Sequence, residues 1–270
     1  AGSSHDPEAD ADRHELEGAD RAALPARLLH LLLRPRYKRC PPERRDKISE
    51  ILADAVCARR PVLLYGYWGA GEKIRMDSHD EDCFRFLEGL REAFSAFWPA
   101  GRDLVFLLGD RHAKMNGTPE SNARGYLSSV AERAARGGHR TVWLRQIWTK
   151  YGLCEVAMRR QAEGCSADWS ESTHKMLVMQ ASRRCRGEAP DFGARLYCVT
   201  RRAEARAFKA EFPGGIFFTY GHKRLNCLFP DLPTLYFWST RKGVSCPPWY
   251  GRAGADSLSD PFGKAGRGLI

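Results

Sequence analysis

Leu104-Val105-Phe106-Leu107-Leu108-Gly109-Asp110-Arg111-His112-Ala113-Lys114-Met115-Asn116-Gly117 decides how the chain is read. Five successive apolar residues fit a strand buried on both faces. The polar cluster after them is costly at a strand end unless it is exposed or used. Upstream, Pro61-Val62-Leu63-Leu64-Tyr65-Gly66-Tyr67 is a second run of the same kind, followed by a glycine-rich loop, Gly69-Ala70-Gly71-Glu72-Lys73. Between the two runs, Phe84, Leu87, Leu90, Phe94 and Phe97 share one face of an amphipathic helix over Asp82 to Trp98, which Pro99-Ala100-Gly101 stops.

The alternation continues on either side. Leu24 to Leu33 reads as a short apolar helix, and Ile48, Ile51, Leu52, Ala55 and Val56 recur at helical spacing. Thr118-Pro119-Glu120 opens a helix, with Thr as cap and Pro in the first helical position, and Gly137-Gly138 ends it. Thr141 to Leu144 reads as a third strand, and two or three helical segments fill 150–187. Ala194 to Val199 reads as a fourth strand, and Ala203 to Phe212 as a helix ended by Pro213. Gly215 to Tyr220 and Thr234 to Trp238 are further strands. Strands apolar on both faces, alternating with helices, indicate an α/β fold: a doubly wound, mostly parallel, Rossmann-like sheet. Ligands of such folds bind beyond the carboxyl ends of strands, and Gly66–Lys73 and Gly109–Asn116 occupy such ends.

Composition narrows the class. Of 270 residues, 43% are hydrophobic and 28% charged, an ordinary globular balance. No apolar run approaches spanning length, so no membrane partner is expected. Residues 1–23 are acidic, with no basic n-region of a signal peptide, and read as a flexible tail; 251–270 are glycine-rich and read as another. That leaves a single α/β domain over 24–250. The net charge of +10 rises to +15 without the acidic tail, which suggests a polyanionic partner. The nine cysteines are odd in number and none stands at CxxC spacing, so free thiols in a reducing, cytoplasmic setting are expected, and no metal site.

The two strand-end loops carry the candidate site. Glycines at 66, 69 and 71 let a backbone approach a substrate, with Tyr65, Gly66, Tyr67 and Trp68 walling the pocket. The loop fits neither a P-loop nor a dinucleotide fingerprint. Asp110 suits a substrate amine or guanidinium, His112 suits proton transfer, and Asn116 lies within the same polar stretch. Basic groups at Arg34, Arg36, Lys38 and Arg39, and at Arg183, Arg184 and Arg186, can follow an RNA backbone if they share a face.

Three segments in this order resemble the tRNA-dependent cyclodipeptide synthases, whose fold is similar to the catalytic domain of class I aminoacyl-tRNA synthetases. They are Leu63–Gly71, Leu104–Ala123 with Gly117-x5-Ala123, and Ala207-Phe208-Lys209-Ala210-Glu211-Phe212-Pro213, similar to the family's Tyr-x3-Glu-x-Pro. No serine stands between Pro61 and Asp77 to match the family's loop nucleophile, and Ala207 stands where the family has tyrosine. The chain looks like a member of the divergent arginine-containing branch found in fungi. The resemblance implies joining of two aminoacyl groups from aminoacyl-tRNA into a diketopiperazine, with no cofactor and no protein partner. It implies Glu211 as the group that binds or deprotonates an α-amine, His112 or Tyr220 as proton relay, and the basic groups above as tRNA contacts. The runner-up is the isocyanide synthase family, with Lys73 and Lys114 as imine or phosphate ligands. A third reading is a non-catalytic RNA-binding protein.

Overall fold

The computed structural model describes residues 22–34, 38–70, 73–165, 169–221 and 223–237. Both expected tails, Arg36, Gly71, Glu72 and Trp238 lie outside the described residues, apart from 22 and 23. The order is α1 (22–32), β1 (Lys38–Glu43), α2 (Arg45–Cys57), β2 (Val62–Trp68), α3 (Ser78–Ser95), β3 (Arg102–Leu108), α4 (Asp110–Met115), α5 (Glu120–Arg136) and β4 (Arg140–Trp143). Then come α6 (Leu144–Lys150), α7 (Glu155–Glu163), α8 (Glu171–Arg184), α9 (Pro190–Glu211), β5 (Ile216–Thr219), a 3-10 turn (Lys223–Leu228) and β6 (Thr234–Phe237).

The strands form one sheet in the order β1-β6-β5-β2-β3-β4. Every pair is parallel except β1–β6 at the edge. The chain winds outward from β2 through β3 to β4, then returns to place β5 on the other side of β2. The winding therefore reverses at β2, and the ends of β2, β3 and β5 frame the crevice that doubly wound folds use for ligands.

Side-chain alternation divides the core into two layers. Leu64, Trp68, Phe106, Leu108, Ile216 and Phe218 face α1, α2, α3 and α5. Tyr65, Val105, Leu107 and Phe217 face α6 to α9. The β2–β3 register pairs Trp68 with Leu108, so both strands end level.

Three local readings are corrected. Residues 194–212 are not a strand followed by a helix: Pro190 opens a single 22-residue helix, α9, to Glu211. Pro at the first position suits a helix start, and Ala194, Tyr197, Arg201, Glu204 and Phe208 recur at helical spacing on its buried side. The polar segment after β3 is helix α4 rather than a loop. At α5 the helix begins at Glu120, so Pro119 occupies the cap position rather than the first helical position.

Candidate active site

At the end of β2, Tyr67 points into the α6–α9 layer and Trp68 into the opposite one. The two-residue period of a strand forbids both from walling one pocket. Tyr67 packs edge-on against His112 at 4.9 Å and against Phe208 at 5.3 Å. Its hydroxyl donates to Glu204 Oε2 at 2.5 Å.

Glu204 is the hub. It is 0% exposed, on the sheet-facing side of α9. His112 Nε2 lies 2.8 Å from its Oε1, the Trp148 indole N–H donates to the same oxygen at 2.9 Å, and Arg201 Nη1 donates to Oε2 at 2.8 Å. Arg201 Nη1 also contacts both ring nitrogens of the imidazole, Nε2 and, at 2.9 Å, Nδ1. The Arg201 guanidinium lies 4.9 Å from the Tyr67 ring and 5.0 Å from that of Tyr197. Four elements thus converge: β2 supplies Tyr67, α4 His112, α6 Trp148, and α9 Arg201 and Glu204.

The electrostatics follow from this enclosure. Burial opposes the charge on Glu204, but His112, Arg201 and Tyr67 outweigh it and hold the carboxyl down to about 2. Burial and then the Arg201 charge push His112 down to about 4, so the imidazole is neutral at pH 7. Burial first, and then the Glu204 charge, raise Tyr67 well above the ordinary phenol value. The arrangement is an ionised carboxylate neutralised by one arginine and touching a neutral imidazole and a phenol. Buried charges of this kind cost folding energy even when paired. Their concentration at the strand ends of the reversal point marks a candidate active site.

The residues expected from sequence are distributed unevenly. Tyr67 and His112 belong to the cluster. Tyr65 is a core residue, stacked on Phe212 at 4.6 Å and near Phe208 and Phe217. Gly66 faces the other layer, where a Cβ would come 2.7 Å from the Phe218 ring. Its smallness accommodates the Phe218 ring and carbonyl. Trp68 donates to Tyr126 Oη at 2.9 Å, which donates to Asp80 at 2.7 Å. Asp110 is already engaged: its Oδ1 accepts the backbone N–H of Arg111 and of Arg145, and Arg145 pairs with its Oδ2 at 3.4 Å. It serves the first turns of α4 and α6, where a carboxylate is favoured.

Glu211 lies two turns beyond Glu204 on α9 and outside the cluster. Lys150 at 2.5 Å and Tyr151 at 2.9 Å hold its carboxylate. Tyr220 packs in the opposite layer, against Phe218, so the sheet separates it from His112. Lys73 bridges Asp77 and Asp80 in that layer, and Lys114 pairs with Glu155 at the surface. Asn116 caps the end of α4, one turn past His112.

The basic groups are on different elements. Arg34 follows α1, Lys38 and Arg39 lie on edge strand β1, and Arg39 donates to the Tyr220 carbonyl. Arg183 and Arg184 end α8, with Arg186 just beyond. Among the described residues there is no cluster of three metal-ligating side chains and no helix long and apolar enough to cross a membrane.

Glu204 and Trp148 were not singled out from sequence. The available signal was Arg201-x2-Glu204 interrupting an otherwise apolar helical face, which disappears when 194–199 is read as a strand.

No protein-family model and no curated protein matches the sequence. Among solved structures, the chain is similar to the PvcA protein from Pseudomonas aeruginosa, with a TM-score of 0.55 and 16% identity over 79% of this chain and 83% of that one. Tyrosyl-tRNA synthetase from Archaeoglobus fulgidus, solved with L-tyrosine, aligns at a TM-score of 0.49 and 13% identity over 80% of this chain and 64% of that one. The likeness to PvcA shows a shared fold.

Proposed function

We propose that this chain is an aminoacyl-transferring enzyme, and in finer terms an aminoacyl-tRNA-dependent cyclodipeptide synthase whose centre is Glu204 with His112, Tyr67 and Arg201. One observation carries the reading. The buried Glu204 carboxylate and the His112 imidazole meet 2.8 Å apart at the reversal point of a Rossmann-like sheet, and the five side chains of the cluster include no serine hydroxyl or thiol. Cys185, whose pKa feels the Arg201 charge, is kept protonated by burial, with a pKa of about 11. In this reading the acyl group stays on its tRNA, and the incoming amine attacks that ester directly.

The steps balance without a cofactor. The α-amine of one aminoacyl-tRNA attacks the ester carbonyl of the other. A C–N bond forms, the C–O ester bond breaks, and the amine's proton ends on the ribose hydroxyl that leaves. The free α-amine of the resulting dipeptidyl ester then attacks its own ester carbonyl, closing the ring and releasing the second tRNA. Glu204 holds the imidazole in place, and His112 passes the proton from the nitrogen of the neutral amine to the leaving oxygen. Positioning carries most of the acceleration, since the esters arrive activated.

The test is incubation of the purified chain with charged tRNA, with product detection by mass spectrometry. A diketopiperazine that disappears with RNase supports the reading. Retention of charged tRNA without product, or an RNase-insensitive product, contradicts it.

A further inference from the structure

Three buried polar atoms near the cluster have no hydrogen-bond partner among the described residues: Arg111 Nε, Asn116 Oδ1 and Thr200 Oγ1. Their positions are related. Asn116 follows His112 by one turn, its N–H donating to the His112 carbonyl at 2.9 Å. Thr200 precedes Glu204 by one turn of α9 and is 1% exposed. Arg111 adjoins His112 and lies 5.5 Å from the ring of Trp148, whose indole N–H holds Glu204. A buried polar atom left unpaired is costly, and three on residues within about one helical turn of His112 or Glu204 point to a ligand that completes them.

The charge has a definite sign. Arg111 and Arg184 make no ion pair among the described residues, whereas Arg145, Arg159 and Arg201 all do. The Arg184 guanidinium lies 5.8 Å from the Tyr197 ring, on which Arg201 also packs, and its charge is felt at His112. Helices α4 and α8, which carry Arg111 and Arg184, are in contact. Stacking fixes each guanidinium plane but leaves its N–H groups available, and a planar fork of donors fits an oxyanion.

We infer that Arg111 and Arg184, with the Thr200 hydroxyl and the Asn116 amide, form a phosphate subsite beside the Glu204–His112 pair. The guanidiniums and the hydroxyl donate to phosphate oxygens, and the amide holds the adjoining hydroxyl or amine. Resting on the proposed function, the phosphate is the terminal phosphodiester of aminoacyl-tRNA, which sets the ester against Glu204. A small phosphate ester would use the same contacts.

The experiment separates these sources. Thermal melting is measured with inorganic phosphate against chloride at matched ionic strength, for the wild type, the Arg111→Gln/Arg184→Gln double variant, and Arg111→Lys and Arg184→Lys, which keep the charge without the fork. Phosphate should raise the wild-type midpoint, and the rise should vanish in the double variant and shrink in the lysine variants. An equal rise in wild type and double variant overturns the subsite, as does a response to acetate but not to phosphate.

Competition then identifies the source. A CCA-ended oligonucleotide that displaces phosphate more effectively than ribose 5-phosphate supports the tRNA terminus; the reverse order overturns that assignment. In turnover, the double variant should raise KM for charged tRNA by about tenfold with kcat little changed. A fall in kcat with KM unchanged overturns the assignment of Arg111 and Arg184 to tRNA binding. A phosphate response in a chain that makes no diketopiperazine rejects the proposed function while keeping the subsite.

Discussion

Glu204 and Glu211 lie on the same helix, two turns apart, yet only Glu204 is enclosed by the four donors that meet between β2, α4 and α6. Glu211 is held at the helix end by Lys150 and Tyr151. Both carboxyls are depressed, Glu204 by the groups enclosing it and Glu211 first by its hydrogen bond with Lys150. Burial distinguishes them: desolvation makes the surroundings of Glu204 specific, whereas the outer pair sits in screened solvent.

Replacing Gly66 with Ala should unfold rather than inhibit. The added Cβ would come 2.5 Å from the Phe218 carbonyl oxygen and 2.7 Å from its ring. Overpacking of this kind costs about 2–3 kcal/mol or more. Urea denaturation should show a lowered midpoint. An unchanged midpoint with a raised KM would restore Gly66 to a substrate-facing role.

Tyr126→Phe should destabilise by about 1–2 kcal/mol, because it removes a donor from buried Asp80 and the acceptor of the Trp68 indole. The network lies across the sheet from Glu204. Turnover of the folded variant should therefore stay near the wild-type value. A large loss of kcat without a loss of stability would place the chemistry in that layer.

Stability should fall on acidification in two stages. His112 and His139 are both lowered to about 4, first by burial and then by arginine charge, so the unfolded chain binds more protons between about 6.5 and 4. Stability then declines as pH drops through that window, by at most about 1.4 kcal/mol per pH unit for each histidine. Glu204, lowered to about 2, contributes stability above the ordinary carboxylate value that is lost as pH falls toward 2. Denaturation at stepped pH should show a smaller slope between 6.5 and 4 in His112→Gln; an unaltered slope would mean that His112 is not enclosed.

Much of the fold was legible because the strands are buried on both faces. Uninterrupted apolar runs at 62–67 and 104–108 need little context to be read. Edge strand β1, with sequence KRCPPE, carries no such run and was missed. The reading of 194–199 as a strand failed because one helix buries so many successive residues that its period is blurred. The buried cluster was half legible for the same reason. His112 and Tyr67 stand out beside strand ends, whereas Arg201 and Glu204 are charged residues in a helix interior and acquire meaning only when the helix is laid against β2.

The most direct test of the account compares diketopiperazine formation from charged tRNA by Glu204→Asp and Glu211→Gln. Aspartate keeps the charge opposite Arg201 while withdrawing the carboxylate by one methylene, so the chain should fold and lose at least about a hundredfold in kcat. Glu211→Gln, which only loosens a surface contact with Lys150, should stay within about threefold of wild type. Loss of product in Glu211→Gln with activity kept in Glu204→Asp would contradict the account and place the centre at the end of the helix.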